Sequence, residues 1–427
     1  MRDIVLFCFI LGLLPLVLKR PFIGVLMFTW VSLMNPHRLT YGAAYAFPFE
    51  AIIVGVTLIG IVISKEKMRF PPTTCVLVLG ALCLWMTLTT FFGLEPDRAW
   101  AEWNRVMKTM TLFVIIICCV NTKKEIQQFA AIVALSIGFF GIKGGIFTVL
   151  TAGNSHVYGP EGSYISDNNA LALALLMALP IIWYLWLESR QKFIKMALLA
   201  LVILASISVV GSYSRGAILG GAAIGLFLVI KSKHRFSTGL ILLLIIPICA
   251  AIMPAQWFDR MHSIDNYSAD TSALGRINAW GFAVNVANSH ILGGGFDCFT
   301  NRQFFVFAPD PHNQHAAHSI YFQVLGEHGY VGLSLFLLFM FLAWRTGTRV
   351  IKHCKGRPED EWASNLAAMC QVSMIGFAVG GAFLTMAYYD LFYDVVALLV
   401  LLEKLLLSPK SIARTSNLTT QSELQEG

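Results

Sequence analysis

Apolar stretches long enough to cross a bilayer recur from one end of this sequence to the other, parted by short charged punctuation. A helix rising about 1.5 Å per residue needs about 20 apolar residues to span a hydrocarbon core. Thirteen apolar segments fit that pattern, at 4–18, 21–35, 48–64, 71–93, 104–121, 126–150, 168–188, 196–213, 216–230, 238–253, 319–344, 363–387 and 390–407. The first two are short and form either one re-entrant hairpin or two full spans. The expectation is an all-α polytopic membrane protein with about 12 transmembrane helices, since backbone in lipid must satisfy its own hydrogen bonds. A content of 57% hydrophobic and 13% charged residues over 427 positions excludes an ordinary soluble domain. Ile4–Leu18 follows only Arg2 and precedes no small-residue cleavage site, so it reads as a retained helix. Residues 408–427 form a polar tail, disordered by composition toward its end.

The basic residues orient the bundle. Lys65, Lys67 and Arg69; Lys123 and Lys124; Arg190, Lys192 and Lys195; Lys231, Lys233 and Arg235 each close one apolar run. Arg345, Arg349, Lys352, Lys355 and Arg357 follow the next, and Lys404, Lys410 and Arg414 end the chain. These alternate turns hold 19 of the 31 Lys and Arg residues and belong in the cytoplasm by the positive-inside rule. Four segments then emerge outside: Asn35–Pro48, Gly153–Asp167, the turn Gly211–Gly216, and Pro254–Ala317. The last divides the chain into helices over 1–253, a large, partly helical periplasmic loop over 254–317, and a closing bundle over 318–407. It is too long for a simple connection, and loops on rigid scaffolds are where sites are built. Cys298 alone among the cysteines falls in such a loop, so no internal disulfide is expected there, and no metal-type cysteine spacing occurs.

Arginines on the outside are exceptions to that charge rule. Arg215 stands in Gly-Ser-Tyr-Ser-Arg-Gly at the junction of two apolar helices. A guanidinium fork, spare turn N–H groups and a helix N-terminus together suit an anion, although a snorkelling interfacial arginine fits the same context. Arg276, in Ser-Ala-Leu-Gly-Arg-Ile-Asn-Ala-Trp, reads as the start of a capped helix in the long loop, either an anion ligand or solvated. Arg260 and Arg302 read as solvated loop residues. His312, His315 and His318 recur every three residues before the eleventh apolar run. That spacing raises a metal site, but no Asp or Glu stands at ligand spacing and no HExxH pattern exists, so no metal is expected. His318, where the chain enters the bilayer, reads better as a general base or a substrate orienter. Glu327 lies deeper, beside His328, and an intramembrane carboxylate is functional or paired.

Weaker candidates complete the set. Arg98, Arg105 and Lys108 stand near the outer end of the fifth run, and Lys143 near the outer end of the sixth. Asp167 precedes an apolar helix and reads first as its N-cap. Tyr388, Tyr389 and Asp390 lie in the last outer turn, where tyrosines are ordinarily interface anchors, as are Trp30, Trp85, Trp100 and Trp103.

Taken in order, Ser214-Arg215-Gly216, Gly275-Arg276 with Trp280 and Gly293-Gly294-Gly295-Phe296, and His318-Ser319 with Glu327, Gly329 and Gly332 resemble the O-antigen ligase and polymerase superfamily of membrane glycosyltransferases. The stretches Asn35–Leu39 and Gly159–Asn169 are similar to its exosortase-associated branch. The resemblance covers nearly the whole chain. It implies inverting transfer of a glycan from undecaprenyl pyrophosphate to a sugar of lipid A–core, outside the inner membrane, with no metal, nucleotide sugar or other cofactor. Arg215 and Arg276 would hold the pyrophosphate, and His318 would act on the acceptor hydroxyl. Arg98, Arg105, Lys108, Lys143, Asp167, Glu327, Tyr388, Tyr389 and Asp390 would bind pyrophosphate or glycan. The implied partners are the two lipid-linked substrates and membrane lipid, with no nucleic acid. A polymerase, a protein O-oligosaccharyltransferase and a carrier of lipid-linked glycans remain open. The carrier fits less well, because no internal repeat is evident and the unusual charges gather on one side.

Overall fold

The computed structural model describes residues 2–64, 68–231, 254–255, 257–258 and 271–407. The expected tenth helix (238–253), Arg260 and the polar tail lie outside the described residues. Among those described there is no strand. Nine helices come first: α1 Arg2–Lys19, α2 Pro21–Met34, α3 Phe49–Ile63, α4 Thr74–Phe91, α5 Pro96–Cys119, α6 Lys123–Leu150, α7 Asn168–Glu188, α8 Lys192–Gly211 and α9 Arg215–Lys231. Then follow α10 Thr271–Ser289, α11 Asn301–Phe307, α12 Ile320–Cys354, α13 Glu361–Gly380 and α14 Asp390–Leu406. Six described helices are long and apolar enough to cross a membrane, and α2, α3 and α9 are shorter apolar ones.

Packing in lipid gains nothing from burying apolar surface, so close backbone approach must do the work. Helices α6 and α8 show how. A Cβ added at Gly145 would stand 2.3 Å from the Leu204 carbonyl oxygen, and one at Gly144 2.2 Å from Ser208 Oγ. Only a glycine face lets these helices meet. Helix ends are set by ordinary chemistry: Thr122 and Glu125 form a capping box on α6, and Asp167 caps α7 through the N–H groups of Asn169 and Ala170.

The long loop is part of the fold. Helix α10 lies along α12, and Phe282 stacks on Phe304 of α11 with ring centres 4.4 Å apart. A small core of Ala279, Phe282, Val286, Phe299 and Phe304 forms above the bundle. Its anchor is a break in α12, where Gly329 takes φ 65° and ψ −171°. In an unbroken helix the carbonyls of Gly326 and Glu327 would accept from residues four further on. Beside the break both carbonyls accept at 2.8 Å from the N–H groups of Gly294 and Gly295. The glycine run of the loop is thus threaded into the helix break.

Gly293 has φ +72°, and a Cβ there would come within 2.5 Å of the Gly329 nitrogen. Gly293→Ala should therefore cost at least the ~1–3 kcal/mol of a strained residue. A clearly lower melting temperature in detergent is the expected result. An unchanged one would show that the loop does not depend on this docking.

Candidate active site

Arg215 begins α9 directly after a tight turn. Tyr213 in that turn has φ +60°, and its hydroxyl donates to the Gly153 carbonyl. The turn keeps fewer N–H groups free than the sequence implied. Ser212 Oγ accepts from Ser214 N–H at 3.3 Å, and Ser214 Oγ accepts from Ala217 N–H at 3.2 Å. Asn168, first residue of α7, donates to the Ser212 carbonyl at 2.6 Å and ties the turn to Asp167.

Arg276 is placed by its neighbours on α10. The ring of His315 lies where a Gly275 Cβ would stand, with its nearest atom 2.4 Å from that position. Asn278 donates to the carbonyls of Asp310 and Asn313, both at 2.8 Å, and accepts from Asp310 N–H at 2.8 Å. Trp280 donates to the Ala317 carbonyl at 2.9 Å and stacks on Phe322 at 4.8 Å. The strip from Gly275 to Trp280 therefore clamps the histidine segment against α10. Asn278, a central clamp, carried no signal in the sequence beyond its place in that strip.

The histidine segment itself is not helical. Helix α12 starts at Ile320, so His312, His315 and His318 share no helix face. His312 is exposed against Phe305, and His315 packs on Gly275. Among the described residues no three His, Cys, Asp or Glu side chains come together in a metal-type group. His318 has φ +42°, in the left-handed region that costs a non-glycine residue about 1–3 kcal/mol. Its N–H donates to Thr385 Oγ1 at 2.8 Å, which fixes it between the loop and the α13–α14 turn. Burial holds its imidazole below the ordinary histidine pKa, reinforced by Arg276 and His315 and opposed by Asp167. His318, Arg276 and Asp167 are thus electrostatic neighbours at one end of the bundle.

Beside them opens a cavity of about 590 Å³. Ala317 and Thr385, the residues that flank and hold His318, line it, as do Gln323 and Glu327 of α12. Arg98 and Arg105 of α5 line another part. Arg98 pairs with Asp297 (Nη2–Oδ2 2.8 Å), and Arg105 pairs with Glu102 while lying over the Tyr164 ring at 4.5 Å. Glu327 is buried and accepts from the Asp297 N–H at 3.1 Å and the Tyr388 hydroxyl at 2.6 Å. Just outside, Gln303 and Thr300 donate to Glu95, which holds that carboxyl below its usual pKa and pins α11 to α5.

The remaining candidates are placed elsewhere or otherwise. Lys108 is exposed on α5 and faces Glu50 through space. Lys143 is exposed among Phe139, Ile142 and Ile146 on an apolar face of α6 and does not line the cavity. Tyr388 and Tyr389 are buried in the protein, not at a lipid-facing belt, and Tyr389 stacks on Tyr164 at 5.6 Å. Asp390 accepts from Ser32 and from Thr109 (2.6 Å), joining α2, α5 and α14. Trp85 is likewise structural, its indole donating to the His328 carbonyl at 2.9 Å.

Residues 200–337, which contain Arg215, Arg276, His318 and Glu327, match the O-antigen ligase family. Residues 200–337 thus form an O-antigen ligase-type domain. Residues 1–190 match a family of unknown function. No curated protein matches the chain. The cavity draws on both matched parts of the chain and on the turn beyond them, since Arg105, Glu327 and Thr385 all line it. Residues 35–39 and 159–169 also meet there: a Gly162 Cβ would lie 3.4 Å from Arg38, two residues from Tyr164.

Proposed function

We propose that this protein is an O-antigen ligase of the bacterial inner membrane, working on its periplasmic face. In this reading the glycan on undecaprenyl pyrophosphate passes to a hydroxyl of a lipid A–core sugar, with inversion and without a metal. The observation that carries it is the polar cavity lined by Ala317 and Thr385, the residues that flank and hold His318, with Ala317 clamped to the α10 strip that carries Arg276. His318 takes the proton of the acceptor hydroxyl, whose oxygen attacks the donor's anomeric carbon. The bond from that carbon to the pyrophosphate breaks, and the charge that builds on phosphate oxygen meets Arg215 and Arg276. Burial lets His318 stay neutral, hence basic, to lower pH than a solvated histidine. A strain lacking the protein should keep free lipopolysaccharide core while polymerised glycan accumulates on its carrier. Loss of the polymer itself would mark a polymerase instead.

The orientation is tested separately. With exposed Cys8 replaced by serine, cysteines at His312 and Glu161 should react with an impermeant reagent in intact spheroplasts. A cysteine at Lys355 should react only after permeabilisation. The reverse pattern would put the cavity in the cytoplasm.

The pH dependence follows from the same geometry. Transfer should persist below the ordinary histidine pKa of about 6.5 and fall as pH drops through the lowered value. Arg276→Gln removes one cause of that lowering, so the acid limb should move to higher pH. Arg276→Lys keeps the charge and should leave the limb in place even where the rate falls. Limbs that coincide in all three proteins would separate Arg276 from His318.

A further inference from the structure

The cavity beside His318 has an electrostatic character that differs from that of a pyrophosphate site. Two arginines line it, Arg98 and Arg105, and against them stand three carboxyl groups, Asp297, Glu102 and Glu327. Each arginine is already ion-paired with one of those acids. Both pairs are partly exposed, so each is weakly held and can open. Opening them changes nothing in the sum, because the acids remain in the wall. The lining has no surplus positive charge whichever form Glu327 takes.

Its polar groups match hydroxyls. Each carboxyl oxygen of Glu327 accepts one hydrogen bond from the protein and keeps capacity for another. Gln323 spends its amide oxygen on the Ala387 N–H at 3.1 Å, which leaves its NH2 as a donor. The volume of about 590 Å³ lies within the roughly 300–1,000 Å³ usual for small-molecule sites. Position decides which substrate enters. His318 has Arg276 as its charged neighbour, while the residue before it and the residue its N–H binds line the cavity. A base between those two residues stands next to any hydroxyl held in the cavity.

We propose that this cavity seats the acceptor, and that its charge-compensated lining selects a neutral, hydroxyl-rich sugar ring over one carrying a phosphate. The inference rests on the ligase reading for what is transferred, but the seat itself can be tested without transfer. A phosphate monoester brings about −1.5 to −2 charges at neutral pH. It would meet Asp297, Glu102 and Glu327 with both arginines already engaged.

The experiment uses the full chain in nanodiscs and two soluble probes: a neutral oligosaccharide, and the same oligosaccharide phosphorylated on its terminal ring. Binding is measured on His318→Ala protein, and transfer on protein with His318 intact. The neutral probe should bind at least tenfold more tightly and show the lower KM by a similar factor. Glu102→Gln with Asp297→Asn frees the arginines and should shrink or reverse that ratio. Arg98→Gln removes positive charge and should widen it. A wild-type preference for the phosphorylated probe, or a ratio that none of these variants moves, would overturn the proposal. Selective binding of the neutral probe without transfer to it supports the seat and counts against the ligase reading instead.

Discussion

His318→Ala should lower turnover by about 100- to 10,000-fold, the usual contribution of a positioned general base. Donor affinity should stay nearly unchanged. The side chain sits beside the cavity, and its backbone is fixed by Thr385 and by the clamp that Trp280 places on Ala317. Those backbone contacts do not need the imidazole, so the variant should fold and insert. In vitro transfer from a lipid-linked donor, with donor binding measured on the same preparation, checks both halves. Lost donor binding would move His318 from the incoming hydroxyl to the pyrophosphate. Loss of the protein from the membrane would make the residue structural.

Arg215→Lys and Arg276→Lys should each cost about 100- to 1,000-fold in rate, because a charge-assisted contact made in the transition state is worth several kcal/mol. Lysine keeps the charge but not the planar fork that binds two phosphate oxygens at once. Helix α9 begins at Arg215 after a turn already capped by Ser214, so the start of the helix survives this change. On α10 the clamps of Asn278 and Trp280 are left in place by the Arg276 change. Comparing kcat and KM for donor, with membrane-inserted protein quantified, gives the test. Normal transfer by both variants would exclude bidentate binding of the leaving group.

Much of this was legible in the sequence. Apolar run length marked the helices because lipid allows so few backbone solutions, and Asp167 was readable as a cap from its type and place. The late loop was expected to be partly helical, and its described part contains α10 and α11. What escaped was whatever depends on contacts distant in the chain. His312, His315 and His318 suggested a shared helix face, but Asn278 and Trp280 hold that segment extended along α10. Gly293-Gly294-Gly295 and Gly329 were visible as motifs, yet only the fold shows that the first donates to the carbonyls just ahead of the second. Thr385, Glu102 and Asp297 carried no local signal, since each gains meaning from a partner on another element. Tyr388 and Tyr389 looked like interface anchors because spacing cannot distinguish a ring facing lipid from one facing Glu327 or Tyr164.

The most direct measurement is reconstitution. Purified protein in proteoliposomes receives a glycan on undecaprenyl pyrophosphate and lipid A–core, in strong chelator, and products are resolved by mass. The proposed reading predicts glycosylated lipid A–core together with free undecaprenyl pyrophosphate, at a rate the chelator does not change and that Arg215→Lys or His318→Ala removes. Longer glycan left on the carrier with lipid A–core untouched, or activity lost to chelator and restored by zinc, would contradict it.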